Sequence, residues 1–190
     1  DPLPIVELLI DSETLGEGPG ATEFNVTARL INSAGDPAPA GRTITVNLTT
    51  TGVAIKGVDY DLPASITIPE GTPSASVLLV AKTDELDEFD EDVIITIGSV
   101  TSAFALIKDG VQTKTVTIMD DDVMPTVSVL VGSDAINEKT GVGTSTSVTV
   151  KLSAPSGKLV TVTLKKSGTA KETDDYTLSG VGPIVLTIPA

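Results

Sequence analysis

This chain of 190 residues lacks several residue types on which metal, redox and catalytic sites commonly depend. It has no Cys, which excludes disulfides and thiolate ligands. It has no His, which excludes imidazole ligands, imidazole bases and a charge switch near neutral pH. No apolar run approaches the roughly 18 residues that a membrane-spanning helix needs, so we expect no direct membrane insertion.

Basic residues are also scarce. There are 12 Lys and Arg against 26 Asp and Glu, which gives a formal net charge of −14 and a pI of about 4.1. Nucleic acids and anionic membranes are bound through basic surfaces, so neither is expected as a partner. The charge balance favours cations instead.

Aromatic residues make up only 3% of the chain and Trp is absent, while hydrophobic residues reach 40%. The core must therefore consist of Val, Ile, Leu and Ala, a composition typical of β-strands. With two Tyr and no Trp there is little to stack on a sugar ring, and the usual nucleophiles and bases are missing. We therefore expect no enzymatic activity.

Seven short apolar or alternating segments, separated by Gly- and Pro-containing turns, predict an all-β fold over residues 1–122. The expected form is a seven-stranded antiparallel, immunoglobulin-like β-sandwich. The predicted strands are residues 4–10, 23–32, 42–50, 65–69, 74–82, 93–100 and 111–119.

The most acidic stretch is residues 83–92 (TDELDEFDED), in which seven of ten residues are carboxylates and none is basic. It is either a solvated loop or a site for a hard cation, since Ca²⁺ takes six to eight oxygen ligands. Antiparallel strands place the connections 11–22, 51–64 and 83–92, and the exit after residue 119, at one end of the sandwich. Each of these carries acidic residues, and their convergence favours a calcium site.

An internal repeat begins after the first predicted domain. The segment PTVSVLV at 125–131 resembles PIVELLI at 4–10, and positions 4 and 125 are 121 residues apart. Glu138 follows Glu17 by the same 121 residues, and Asp175-Tyr176 repeats Asp59-Tyr60. We therefore predict a second domain at 123–190 that contains only the first four strands. The preferred explanation is that the chain is part of a longer polypeptide; the alternative is that a neighbouring chain donates the missing strands.

Four motifs in this order resemble the Calx-beta family of β-sandwich domains: an early Glu-Gly, an Asp-Tyr, an acidic run and a closing Asp triplet. The resemblance implies Ca²⁺ ligands at the sandwich end where these loops meet. In the first repeat they are Glu17, Asp59, Asp84, Glu88, Glu91, Asp120, Asp121 and Asp122. In the second repeat Glu138 and Asp175 form an incomplete set. Asp87, Asp90 and Asp92 are expected to be solvated or to support the ligands, and Thr83 stands where many members have Asp.

The resemblance implies a calcium-binding structural or adhesive repeat of a large extracellular or cell-surface protein, of bacterial type. Its expected partners are calcium ions and neighbouring domains of the same array or of another chain. The closing Asp run lies two residues before Pro125, so calcium there is expected to stiffen the junction between repeats. The alternative is a regulatory calcium sensor attached to a membrane transporter.

Overall fold

The computed structural model describes residues 2–20, 22–100, 104–108, 110, 112–138, 144–179 and 185–189. All regular secondary structure in these ranges is β-strand. Contacts between residues divide the chain into two units, the first made of Asp1–Asp84 and Phe89–Asp121 and the second of Glu85–Glu88 and Asp122–Ala190. Within the described ranges, no helix has the length and hydropathy needed to cross a membrane.

Among its described residues, the first unit contains ten strands in two five-stranded sheets. The strands are β1 (Ile5–Ile10), β2 (Thr14–Gly16), β3 (Glu23–Ile31), β4 (Ile44–Gly52), β5 (Tyr60–Asp61), β6 (Ser65–Ile68), β7 (Ser74–Ala81), β8 (Glu91–Val100), β9 (Leu106–Ile107) and β10 (Thr113–Met119). One sheet has the order β5-β7-β3-β1-β9 and the other the order β2-β10-β8-β4-β6. The predicted all-β sandwich is confirmed.

All seven predicted strands are present, but the prediction was incomplete. The short strands β2, β5 and β9 were not predicted, because two or three residues are too few to show an alternating pattern. Two of them also break the expected antiparallel arrangement, since β9 pairs with β1 and β2 pairs with β10 in parallel. Strand β8 begins at Glu91, two residues before the predicted start, so Glu91 and Asp92 belong to a strand and not to the acidic loop.

The core lies between the two sheets and is formed by the alternating residues of their long strands. On β3, Val26, Ala28 and Leu30 are fully buried, and the residues between them are partly or fully exposed. On the opposite sheet, Ile44 of β4 and Ile95 of β8 are equally buried. Burying an aliphatic side chain of this size contributes about 1.5–3 kcal/mol, so the two inner faces dominate the stability of this unit.

The N-terminal segment contributes to both sheets. Strand β1 pairs with β3 in one sheet, and after three residues the chain continues as β2 beside β10 in the other. The residues that follow β2 therefore leave the sheet at the same end as the residues that follow β10. This crossing places the predicted ligand Glu17 next to the residues that follow Met119.

In the part of the second unit that the structure describes, the strands form two separate antiparallel pairs. Strand β11 (Val127–Val131) pairs with β12 (Val148–Leu152), and β13 (Val160–Thr163) pairs with β14 (Val185–Ile188). Every residue of β11 is exposed. The apolar side chains of this pair are therefore not enclosed by the described part of the chain.

Candidate metal centre

The acidic segments of the first unit meet at the end where β1 and β4 finish and β3 and β8 begin. In one sheet Ile10 is paired with Val26, near the start of β3, and in the other Gly52 is paired with Val93, near the start of β8. The neighbouring strand β10 ends at the same level, with Ile118 opposite Glu91. Chain connectivity thus brings the 11–22 loop, the residues after β4, the acidic loop and the exit of β10 to one end of the sandwich.

Glu17 is fixed by backbone pairing at this end. Its N–H donates to the carbonyl of Met119 at 3.2 Å, which continues the parallel pairing of β2 with β10. Its side chain is largely buried, with 9% of the residue exposed. A carboxylate oxygen of Glu17 lies within 4.8 Å of one from Asp84, a spacing that a shared cation could bridge.

Asp121 lies against the same loop. A Cβ atom added to Gly18 would overlap the carboxylate of Asp121, so the absence of a side chain at Gly18 makes room for that acid. This is the kind of close approach for which glycine is used. The Glu-Gly pair of the sequence motif thus has two parts: Glu17 supplies a carboxylate, and Gly18 leaves space for a second one.

The residues around these acids are connected by hydrogen bonds. The N–H of Asp120 donates to Asp90 Oδ1 at 3.2 Å, and Thr117 Oγ1 donates to Asp92 Oδ1 at 2.9 Å. Asp90 and Asp92 therefore hold the end of β10 beside the start of β8. Glu91 lies between them in sequence and is half-buried.

Asp59 has a structural role that the sequence analysis did not foresee. Its N–H donates to the carbonyl of Ile55 at 2.9 Å, and its Oδ2 accepts from the N–H of Ile55. This arrangement closes a five-residue turn, followed by Tyr60, which is 2% exposed. One carboxylate oxygen of Asp59 is thus engaged by the backbone.

The remaining predicted ligands belong to the second unit. Glu88 lies over Gly157, Asp122 is the residue at which the unit's main segment begins, and Glu138 is exposed. Asp175 repeats the turn of Asp59, with its Oδ2 accepting from the N–H of Lys171 at 2.7 Å. Of the ten predicted residues, six belong to the first unit and four to the second.

Asp87 was expected either to be solvated or to support the ligands. In the structure it is buried, so it is not solvated. It is 4% exposed and its Oδ1 accepts from Lys158 Nζ at 2.6 Å. The hydrogen bond from Lys158 lowers the pKa of Asp87 below its ordinary value, burial opposes this, and a hydrogen bond from Ser156 reinforces it. This pairing could not be predicted from the sequence, because Lys158 lies 71 residues from Asp87.

A second buried carboxylate, Glu7 on β1, was also not predicted. It is 7% exposed and accepts hydrogen bonds from Arg29 on β3 and from Lys108, which follows β9, the latter at 2.9 Å. Burial raises its pKa, but the bonds from Lys108 and Arg29 outweigh burial and hold the pKa below its ordinary value. Glu7 therefore binds the short parallel strand β9 to the sheet through charge.

The donor set at the acidic end suits a hard cation. The predicted ligands are carboxylates, and Ca²⁺ and Mg²⁺ prefer oxygen ligands of this kind. Softer metals prefer thiolate or imidazole ligands instead. Glu17 and Asp84 could hold the ion. Asp121 lies against Gly18, and Glu91 is opposite Ile118 in the pairing of β8 with β10. A bound cation would offset the repulsion between carboxylates that the fold holds at short distance.

The fold and the acidic end together define a β-sandwich domain with a carboxylate-rich tip. No protein-family profile and no curated protein matches the chain. Among solved structures, the apo form of the Calx CBD1 domain matches 62% of this chain and 99% of its own length, at 22% identity and a TM-score of 0.48. CBD12 of CALX1.2 matches 96% of this chain and 71% of its own, at 16% identity and a TM-score of 0.47. At such identities these matches concern the fold alone.

Proposed function

We propose that the first unit is a calcium-binding structural module of a tandem array, and that calcium at its acidic end stiffens the array. The observation that supports this most directly is the closeness of the Glu17 and Asp84 carboxylates, which lie within 4.8 Å of each other at the tip. The space that Gly18 leaves for Asp121 places another carboxylate against the loop that carries Glu17. The array belongs to an extracellular or surface protein, where calcium is abundant enough for weak sites.

Calcium titration calorimetry of the chain tests the binding, beside a double variant Asp84→Asn/Glu91→Gln. A matched control is Asp36→Asn/Glu70→Gln, which removes the same charge from the loops at the opposite end of the first unit. We expect the control to bind calcium as the native chain does and the tip variant to lose most of the heat. Equal binding by both variants would reject the proposed site.

Thermal unfolding with calcium and with EDTA tests whether calcium stabilises the folded chain. Ligand binding to the folded state stabilises by about 2.7 kcal/mol when calcium is at a hundred times its dissociation constant. Sites in extracellular modules often have dissociation constants of about 10⁻⁴–10⁻³ M, so millimolar calcium should raise the melting temperature. A melting curve that EDTA leaves unchanged contradicts the proposal. A micromolar dissociation constant together with a large calcium-linked domain rotation would instead support the transporter sensor.

A further inference from the structure

Residues 85–88 belong to the second unit and are held there by three consecutive residues. The carboxylate of Asp87 accepts from Lys158 Nζ at 2.6 Å and from Ser156 Oγ at 3.1 Å. The N–H of Gly157 donates to the backbone carbonyl of Asp87 at 3.0 Å. A single aspartate is thus recognised through both its side chain and its main chain, and it is almost fully buried.

The neighbours of Asp87 complete the recognition. Leu86 lines a groove together with Leu152 and Pro155 of the second unit. A Cβ atom on Gly157 would lie 2.6 Å from the side chain of Glu88, so glycine is needed at this position for the segment to approach. The turn therefore accepts a short acidic segment in which a leucine precedes the aspartate.

The first unit has a turn of the same design. In both units a strand is preceded by the same four kinds of residue: a proline, a small buried residue, a glycine and a basic residue. The glycine lies three residues before the first residue of the strand. The two sequences are Pro39-Ala40-Gly41-Arg42 before β4 and Pro155-Ser156-Gly157-Lys158 before β13. Ala40 is 2% exposed and Ser156 is 6% exposed.

The two turns differ in what covers them. Among the described residues, nothing lies within 4 Å of a Cβ atom placed on Gly41, whereas the corresponding place at Gly157 is filled by Glu88. The Gly41 turn borders a groove lined by Leu3, Pro39 and Phe104. The Arg42 guanidinium lies 4.9 Å from the centre of the Phe104 ring, so its charge is present at the groove.

We propose that the turn 39–42 is a docking site for the acidic-loop segment of another repeat of this type, in which a leucine precedes an aspartate. Arg42 takes the place of Lys158 and offers a fork of donors that suits a carboxylate. The N–H of Gly41 takes the place of Gly157. Ala40 has no hydroxyl where Ser156 donates to Asp87, so one hydrogen bond is lost. The docking does not require calcium and is therefore independent of the proposed metal centre.

The test is an NMR titration of the full ¹⁵N-labelled chain, in EDTA, with a synthetic peptide of residues 83–92. A short tether supplies an effective concentration of about millimolar, so a contact that is mostly formed within an array needs a dissociation constant of about a millimolar or less, and the peptide is titrated through that range. The amide signals of Gly41 and Arg42 should shift and approach saturation. A peptide with Asp87→Asn should bind about tenfold more weakly, because the charge-assisted hydrogen bond is lost.

Two protein variants with the same net charge locate the site. Arg42→Gln should abolish the shift at Gly41, and Lys56→Gln, which removes an exposed charge from the 55–59 turn, should leave it unchanged. The native spectrum outside the turn verifies that each variant folds. The proposal is overturned if Gly41 does not respond at 5 to about 10 times the expected dissociation constant, if both peptides bind equally, or if Lys56→Gln weakens binding as much as Arg42→Gln.

Discussion

Two antiparallel strand pairs with similar sequences differ completely in their burial. In the first unit β1 pairs with β3, and Val6 and Leu8 are 0% and 1% exposed. In the second unit β11 pairs with β12, and the corresponding Val127 and Val129 are 44% and 51% exposed. Strand pairing is thus set by the local alternation of residues, whereas burial depends on a second sheet that covers the inner face.

The largest expected difference concerns leucines on these two pairs. Leu8→Ala should destabilise the first unit by about 2–5 kcal/mol, because it removes buried methyl groups and leaves a cavity. Leu130→Ala, on the exposed β11, should change the stability of the second unit by no more than about 0.5 kcal/mol. Urea unfolding followed through the separate NMR signals of Tyr60 and Tyr176 distinguishes the units, since Tyr60 lies in the first and Tyr176 in the second. Similar losses in the two variants would mean that β11 is covered in solution.

The next difference concerns two glycines near the C-terminal ends of corresponding strands. Gly52 and Gly168 both have positive φ, of 125° and 138°, but a Cβ atom on Gly52 would overlap the backbone carbonyl of Asp92, while nothing lies within 4 Å at Gly168. That carbonyl also accepts from the N–H groups of Val53 and Ala54, at 3.1 and 3.3 Å, so it cannot easily move.

Gly52→Ala should therefore cost more than Gly168→Ala. Both variants place a side chain in a strained backbone region at a cost of about 1–2 kcal/mol, and only Gly52→Ala adds a steric overlap with main chain. Thermal unfolding, followed through the NMR signals of Tyr60 and Tyr176, measures the loss of stability in each unit. Equal costs would show that backbone strain alone decides the outcome.

The sequence predicted the long strands because alternating Val, Ile and Leu residues have a clear period of two. It also predicted that acidic loops would meet at one end, because antiparallel connectivity decides which loops are neighbours. It could not predict that Lys108 pairs with Glu7 or that Lys158 pairs with Asp87, because these partners are 101 and 71 positions apart in the sequence. The predicted ligand Asp59 illustrates a further limit, since its motif is explained equally well by a turn that it closes with Ile55.

That turn supplies a smaller and more selective prediction. The same hydrogen bonds close it in both units, but Gly57, with φ of 90°, is replaced by Thr173, with φ of 84°. A β-branched residue is strained there, so Thr173→Gly should stabilise the second unit by about 1 kcal/mol. Gly57→Thr should destabilise the first unit by a similar amount. Calorimetric melting measures both changes, and Thr173→Ala serves as a control that keeps the strain; stabilisation by Ala equal to that by Gly would contradict the explanation.

The smallest expected effect depends on pH and separates the units by charge. Glu7 in the first unit has a pKa held below its ordinary value of 4.5, and its counterpart 121 residues later is Ser128, whose Oγ donates to the carbonyl of Lys151. A carboxylate with a lowered pKa in the folded state stabilises fully above about pH 4.5, and this stabilisation is lost as the pH falls through the folded pKa. Glu7→Gln should therefore reduce the pH dependence of the unfolding transition reported by Tyr60 below pH 4.5. The transition reported by Tyr176 should be unchanged. The control Glu70→Gln removes an exposed carboxylate and should alter neither transition. Because Asp87 also has a lowered pKa, the stability of the second unit keeps its own dependence on pH in acid. If the transition reported by Tyr176 responds to Glu7→Gln, the two units unfold together.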